Sequence, residues 1–595
     1  MHPSKRTVTC GQLNNKNIKQ LVTLNGWISS IRNHGGITFA DIRDRYGITQ
    51  VIFDTNNISV KSAEALLPQL KLEYCISVTG KVGLRPENMI NKEISTGEIE
   101  VYAEQLEIIS TCEILPFMVN NLIKGHTDAR EELRLKHRYI DLRSARMQRN
   151  IILRHEIAQT VRAELNNKNF LEIETPTLVR STPEGARDFI IPSRLQPGQF
   201  YALPQSPQMF KQLLMLSGYD RYYQFARCYR DEDARGDRQP EFTQLDFEMS
   251  FVNQQDVLTV LENLFIKTFK TGINYSLVKP FIRLTFEEAM NRFGTDRPDL
   301  RFDLELSDFT ELAKSSNFAV FKNAINDGAV IKALRLPQLA IYSRKQIEEL
   351  EEHAKLFGAK GLAWMKCTEA GITGGISRFF EDQEQNIRLT LNIKPGDLLL
   401  FVAAPWRTAC TALGAVRTEI GKQEKLYKDN EFKACFITEF PLFNWNDEDE
   451  RWESEHHMFS MPKQKFLNNL TEKPGEIRGQ IYDAVINGIE LASGSIRIHD
   501  PNLQAKIFEI LGLSKSEIDK KFGFLLEAFH YGTPPHGGAA IGFDRLLMLM
   551  AGESTIRDVI PFPKNTLAGS PLDGSPAAVD TNQLKDLNLY INHQD

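Results

Sequence analysis

Phe225–Ser250, FARCYRDEDARGDRQPEFTQLDFEMS, is the stretch on which the fold turns. A strand-like run breaks at Arg230 into a loop dense with both signs of charge. It returns as an alternating run that ends Gln244-Leu245-Asp246-Phe247-Glu248. Two half-buried strands joined by a charged loop read as a β-hairpin whose tip lies at a binding site. Arg230, Glu232, Arg238 and Glu241 cluster there with Phe242. A guanidinium fork suits a phosphate or carboxylate, and an aromatic face suits a purine base. Composition by itself supports equally well a solvated tip closed by its own salt bridges.

The hairpin sits inside a chain of 595 residues, too long for one core, so three or four domains are expected. A composition of 42% hydrophobic and 25% charged residues argues against long disordered tracts. No apolar run approaches the ~20 residues of a membrane span. The N-terminus, MHPSKRTVTCGQ, lacks the apolar core of a secretory signal. Seven scattered cysteines without a CxxC pair speak against a zinc knuckle or a disulfide framework, and read as reduced thiols of a cytoplasmic protein. A net charge of −6 does not advertise a nucleic-acid binder, but local basic surface matters more than the total.

Upstream of the hairpin, residues 1–115 hold five short strand patterns with turns between them, which suggests a small barrel such as the OB-fold. Arg32, Phe39 and Gln50 there have the chemistry to stack and pair single-stranded bases, although taken alone Phe39 reads more simply as barrel core. Residues 116–146 form a polar hinge rich in Lys and Arg. From Met147 to Asn166 an amphipathic helix is expected, with Ile151, Ile152, Val161 and Leu165 near one face. FLEIETPTLV follows as a strand stopped by Pro176. A β-α-β alternation over residues 288–419 reads as a separate domain that divides a larger one into 147–287 and 420–563. The tail, 564–595, is rich in Gly, Ser, Pro and Asp and is expected over the surface.

Six motifs in register extend the reading: STPEGARDF from Ser181, YALPQSPQMFKQ from Tyr201, RYYQFARCYRDED from Arg221, RQPEFTQLD from Arg238, GSIRIHD from Gly494 and GFDR from Gly542. Together they resemble the class II aminoacyl-tRNA synthetases, and most closely those of the bacterial aspartyl type. The resemblance runs nearly the whole chain. It implies a multidomain α+β protein with an N-terminal OB-fold β-barrel, an antiparallel-sheet catalytic domain, and an inserted α/β domain of the kind that marks the bacterial branch.

It also implies a reaction in two steps. ATP activates L-aspartate to aspartyl-adenylate, and the terminal ribose of tRNA-Asp then takes the aspartyl group; whether tRNA-Asn is charged as well stays open. Arg230, Glu232 and Arg545 are the expected catalytic residues. ATP would be held by Arg230, Asp231, Glu232, Gln239, Phe242 and Glu490, and by Gly542, Phe543, Asp544 and Arg545 at a helix start. Aspartate would be held by Glu184, Ser206, Gln208, Lys211, Arg230, Asp246, His456 and Arg497. An unpaired Arg497 should reject asparagine by roughly 3–5 kcal/mol. Asp483 and Glu490 are the expected ligands of Mg2+. Arg32, His34, Phe39 and Gln50 would read the anticodon. A homodimer is implied, with the helix and strand before Pro176 at its interface. Two other readings compete. An asparagine or lysine enzyme would not need the positive charge at Arg497, and a non-catalytic tRNA-binding paralogue would have lost Arg230, Glu490 or Arg545.

Overall fold

The computed structural model of the chain describes residues 5–54, 65–119, 128–182 and 185–591. It divides into two units, Met1–Arg149 and Asn150–Asp595.

In the first unit β1 (Leu21–His34), β2 (Ile37–Asp44), β3 (Gly47–Asp54), β4 (Cys75–Leu84) and β5 (Ile99–Ser110) close into a barrel in the order β1-β2-β3-β5-β4. Alternation along each strand decides what fills it. Ala40 and Ile42 of β2 enter a core with Leu24, Ile28, Val51 and Phe53. Gly26 permits the close approach of β1 to β2, since a Cβ there would meet the Arg43 carbonyl oxygen at 2.5 Å. Beyond the barrel, Arg134 and Arg138 both pair with Asp141, at 3.1 and 2.6 Å. Part of the basic density of the hinge is therefore engaged within its own unit.

The second unit is built on an eight-stranded sheet. β6 (Leu171–Glu172) comes first, then a hairpin of β7 (Ile190–Pro192) and β8 (Phe200–Ala202), then β9 (Arg221–Tyr229), β10 (Glu241–Ser250) and β11 (Ile282–Thr285). A second sheet follows, from β12 (Leu306–Asp308), β13 (Val330–Leu336), β14 (Ala363–Thr368), β15 (Gly371–Thr373) and β16 (Leu398–Ala404). The chain rejoins the first sheet with β17 (Ala434–Thr438), makes the hairpin β18 (Phe443–Asn446) and β19 (Arg451–Ser454), and ends with β20 (Ile481–Ile486), β21 (Ile489–Ile496) and β22 (His536–Gly542). The main order is β11-β17-β20-β21-β22-β10-β9-β6; the second sheet runs β12-β13-β16-β14-β15 with its paired strands antiparallel.

Three expectations need adjustment. The hairpin β9–β10 forms as read, but β10 is buried on both faces rather than half-buried. Leu245, Phe247 and Met249 enter the apolar core, and the intervening charged residues are covered as well. In the helix Ala145–Asn166 the buried stripe is Leu153, Ile157, Val161 and Leu165, four residues apart, whereas Ile152 is 39% exposed. Ile152 precedes Leu153 by one residue and so sits about 100° round the helix from that stripe. The expected strand FLEIETPTLV shrinks to Leu171–Glu172, which pairs at the sheet edge with Tyr222 and Tyr223 of β9; of the rest of the run, Val179 makes an isolated bridge to Ala202.

Candidate active site

The sheet register assembles the site. Asp483 of β20 stands beside Ser493 of β21, Ser493 beside Ala540 of β22, and Ala540 beside Asp246 of β10. One row further on, Ile481, Ser495, Gly538 and Glu248 are neighbours in the same way. Because side chains two apart share a face, Asp246 and Glu248 point together with Ser493 and Ser495, opposite to the apolar core. Gly538 keeps this row flat: a Cβ there would lie 2.4 Å from Glu248 Oε2 and 2.0 Å from the Phe247 carbonyl oxygen.

Over this face lies a cavity of about 470 Å³. At one end is a buried network of two cations and two anions. Lys211, from the helix Gln208–Leu216, lies 2.9 Å from Asp246 and 3.3 Å from Glu248. Arg497 donates from Nε to Glu248 Oε1 at 2.9 Å and from Nη1 to Ser495 Oγ at 2.8 Å. Burial pushes the Glu248 carboxyl up, but Arg497 and Lys211 outweigh it and hold the group below the ordinary range. Asp246 is held above its ordinary range, because burial there outweighs Lys211. Its Oδ2 has no hydrogen-bond partner among the described residues, and neither has Gln208 Nε2. A buried polar atom left so costs about 1–3 kcal/mol, a penalty that a polar ligand removes. Behind the network, Gln212 and His536 pair at 3.2 Å between their side-chain nitrogens, and His536 Nδ1 lies 2.9 Å from the Pro534 carbonyl oxygen.

The expectation that Arg497 stands unpaired without a substrate carboxylate is thus corrected. Glu248 is its counter-ion, a residue the sequence reading did not single out. The signal was available: an acid two residues after Asp246 on a strand must share its face.

The other end of the cavity carries the loop between β9 and β10. The Arg230 guanidinium lies over the Phe242 ring at 5.2 Å, and Arg230 Nε, buried, has no partner among the described residues. Glu232 pairs with Arg238 at 3.1 Å, and the Gln239 side-chain oxygen accepts from the Lys564 backbone at 2.8 Å. Arg545 sits in the first turn of the helix Phe543–Ala551, capped by Gly542, and lies 3.1 Å from Asp237. All of these except Lys564 line the cavity, as do Ser206, Gln208, His456, Glu490 and Asp544.

Three residues expected at the ATP end are placed otherwise. Phe543 is buried in the core, edge-to-face on Phe225 at 5.0 Å, because the first side chain after the strand turns inward. Asp544 reaches the cavity, but its carboxylate accepts from Arg154 at 2.5 Å and from the Thr243 backbone at 2.8 Å, which ties the helix to β10. Asp231 lies beside Arg187 at 3.6 Å, outside the cavity wall. Glu184 lies outside the described residues; Gly185 and Ala186, just after it, line the cavity.

Asp483 is fully buried beneath the wall to which Glu490 contributes. Burial, and then the nearby Glu490, push its carboxyl well above the ordinary range; Oδ1 has no hydrogen-bond partner among the described residues, and His456 Nδ1 lies 4.0 Å from it. An acid crowded by a second acid is relieved by a proton or a cation. Among the described residues no cluster of three His, Cys, Asp or Glu side chains forms; the expected pair, Asp483 and Glu490, would offer two carboxylates. That set suits Mg2+, which completes its sphere with water and phosphate oxygens. His456 packs edge-to-face on Phe440 at 4.4 Å, with Nδ1 3.3 Å from Ser493 Oγ. Burial holds its imidazole below the ordinary range despite Glu490.

The first unit has its own candidate surface. Phe39 is half-buried and is not part of the barrel core. Arg32, its partner across β1–β2, donates to Gln50 Oε1 at 3.1 Å and pairs with Asp41 at 3.3 Å. His34 is exposed at the end of β1, next to Gly35 and Gly36, both at positive φ. The structure therefore brings Arg32, Phe39 and Gln50 together and leaves His34 at the hairpin tip.

Comparison with known proteins finds a family match over each of these two regions of the chain. Residues 130–566 match the class II tRNA synthetases (D, K and N), and residues 22–109 match the OB-fold nucleic acid binding domain. The chain is 54% identical over 594 residues to a protein of Treponema denticola named aspartate–tRNA(Asp/Asn) ligase, covering 99% of this chain and 100% of that one. It is 50% identical to the protein of the same name from Treponema pallidum, over 99% and 97% of the two chains. The solved structure of asparaginyl-tRNA synthetase from Pyrococcus horikoshii, complexed with asparaginyl-adenylate, shares the fold at a TM-score of 0.59 and 16% identity, covering 93% of this chain and 97% of that one. Among the described residues no helix is long and apolar enough to cross a membrane. The chain belongs to the class II tRNA synthetases of the aspartate, lysine and asparagine group, and within that group to the bacterial aspartate–tRNA ligases.

Proposed function

We propose that the protein activates L-aspartate with ATP to aspartyl-adenylate and transfers the aspartyl group to the 3′-terminal ribose of tRNA-Asp and of tRNA-Asn. The observation that carries the reading is the two-ended cavity, with Lys211 and Arg497 buried at one end and Arg230 and Arg545 at the other. The aspartate side-chain carboxylate meets Lys211 and Arg497. The guanidinium has five N–H groups, and the protein contacts of Arg497 use four at most. Asp246, with its free Oδ2, takes the α-ammonium, and Ser206, Gln208 and His456 line the approach. Glu184 belongs to the same set through its motif.

The α-carboxylate is already an anion at neutral pH, so the first step needs no protein base. The protein holds it in line with the α-phosphorus and neutralises charge there through Arg230. Phe242 and Gln239 receive the adenine, Glu232 steadies the loop through Arg238, and Arg545 takes the terminal phosphate with the helix N-terminus behind it. Glu490 and Asp483 would hold Mg2+, which when bound neutralises phosphate oxygens.

Rejection of asparagine acquires a different cause from the one expected. Glu248 would remain the counter-ion of Arg497, so no cation is stranded. What asparagine loses is the charge-assisted bonds to Lys211 and Arg497, about 1.5–3 kcal/mol each, or together roughly two to four decades.

On the barrel, Phe39 stacks on an anticodon base, and Arg32, Gln50 and His34 pair with base edges. Charging of both tRNAs follows the names of the relatives, which carry Asp and Asn together. The protein works in the cytoplasm as a homodimer, joined through the face where Ile152, Leu171 and Leu178 are exposed. Charging of purified tRNA-Asp and tRNA-Asn with labelled aspartate tests the reading. Aspartate on both supports it, and aspartate on tRNA-Asp alone restricts the barrel to one anticodon.

A further inference from the structure

We infer that Asp237 is an internal competitor for the phosphate site at Arg545, occupying the guanidinium before ATP arrives and reclaiming it from pyrophosphate afterwards. The inference rests on the proposed role of Arg545 with the terminal phosphate. All three guanidinium nitrogens are engaged by the protein: Nη2 lies 3.1 Å from Asp237 Oδ2, Nε 3.5 Å from the Asp237 carbonyl oxygen, and Nη1 3.4 Å from the Glu490 carbonyl oxygen. Asp237 is held there by its neighbours rather than by chance. The Gly236 carbonyl accepts from Thr555 Oγ1 and from the Ile556 backbone, both at 2.9 Å. The Arg235 carbonyl accepts from Arg557 at 3.3 Å. The loop tip is thus docked on the segment that follows the helix bearing Arg545. The Asp237 side chain is still 43% exposed, so it can turn to solvent while its backbone stays in place.

A carboxylate and a terminal phosphate want the same edge of one guanidinium, so each weakens the other. Arg545 keeps its aim while it waits, because it is never left without an anion. The more highly charged triphosphate displaces Asp237, and Asp237 in turn speeds the departure of pyrophosphate. Ligands that do not reach Arg545, such as AMP and aspartate, are indifferent to the exchange. A half-exposed ion pair contributes little, so the effect is about two- to fivefold.

The test is ATP–pyrophosphate exchange with Asp237→Asn, Asp237→Glu and Arg545→Gln, together with inhibition by AMP. Asp237→Asn should lower the KM for ATP and for pyrophosphate by about two- to fivefold, with the KM for aspartate and the inhibition constant of AMP unchanged. Asp237→Glu, which keeps the charge, should behave as wild type. A KM for ATP that stays the same or rises in Asp237→Asn, while Arg545→Gln raises it strongly, overturns the competitor role and leaves the phosphate role standing. Unchanged KM values for ATP and pyrophosphate in Arg545→Gln overturn the phosphate role itself.

Discussion

Replacing Arg497 by Met removes the cation proposed to recognise the substrate and also breaks a buried ion pair, and the two consequences can be separated. Arg497 is 4% exposed and bonds Glu248 at 2.9 Å. Without it Glu248 keeps Lys211 at 3.3 Å, but Lys211 must then balance Asp246 as well. One buried negative charge is left in excess, which costs about 3–5 kcal/mol. In the double variant Arg497→Met with Glu248→Met, Lys211 and Asp246 remain as a balanced pair and two apolar side chains fill the gap. Such replacements are often neutral or stabilising, so most of the loss should be recovered. Chemical denaturation should therefore place Glu248→Met and Arg497→Met well below wild type and the double variant near it. Aspartate-dependent ATP–pyrophosphate exchange should be lost in Arg497→Met and stay lost in the double variant, although it folds. A double variant no more stable than Arg497→Met would refute the pairing. Exchange retained in Arg497→Met would refute its role with the substrate carboxylate.

Acid should find the same network. The Glu248 carboxyl lies below its ordinary range in the folded protein, so its stabilising contribution is present above the unfolded value, about 4.3, and is lost as pH falls through the folded one. Glu248→Gln should show a shallower acid limb than wild type in denaturation midpoints as pH falls below about 4.3; parallel limbs would contradict this. Glu490→Gln should lower exchange in a way that added Mg2+ partly restores, and a loss indifferent to Mg2+ would remove Glu490 from the metal site. Phe39→Ala should weaken tRNA charging by about one to two decades, as expected for a lost base stack of 1–3 kcal/mol, and spare exchange without tRNA. Equal losses in both assays would make Phe39 a barrel-stability residue.

Much of this was legible in the residues because alternation and turn chemistry are local. The β9–β10 hairpin, each barrel strand and the helix start at Gly542 are written within about thirty residues or fewer. Arg230 and Phe242 could be paired on the page because a hairpin brings its two ends together. What sequence could not supply was register between distant strands. The row that joins Asp483, Ser493, Ala540 and Asp246 draws on four strands and more than 200 intervening residues. Alternation alone puts Glu248 on the face of Asp246, but it is the neighbouring row, Ile481, Ser495, Gly538 and Glu248, that sets it beside Arg497. The same limit explains Phe543 and Asp544. Their motif gives a helix start beside ATP, but which side chains of its first turn face the cavity depends on how the helix packs against β10.

The central claim is that the buried charge network selects aspartate, and amino-acid-dependent ATP–pyrophosphate exchange without tRNA tests it most directly. Side by side, aspartate, asparagine and lysine should give exchange with aspartate at least two decades above the other two. Comparable exchange with asparagine or lysine would contradict the account of the cavity, and no exchange with any of the three would contradict the assignment of catalysis to it.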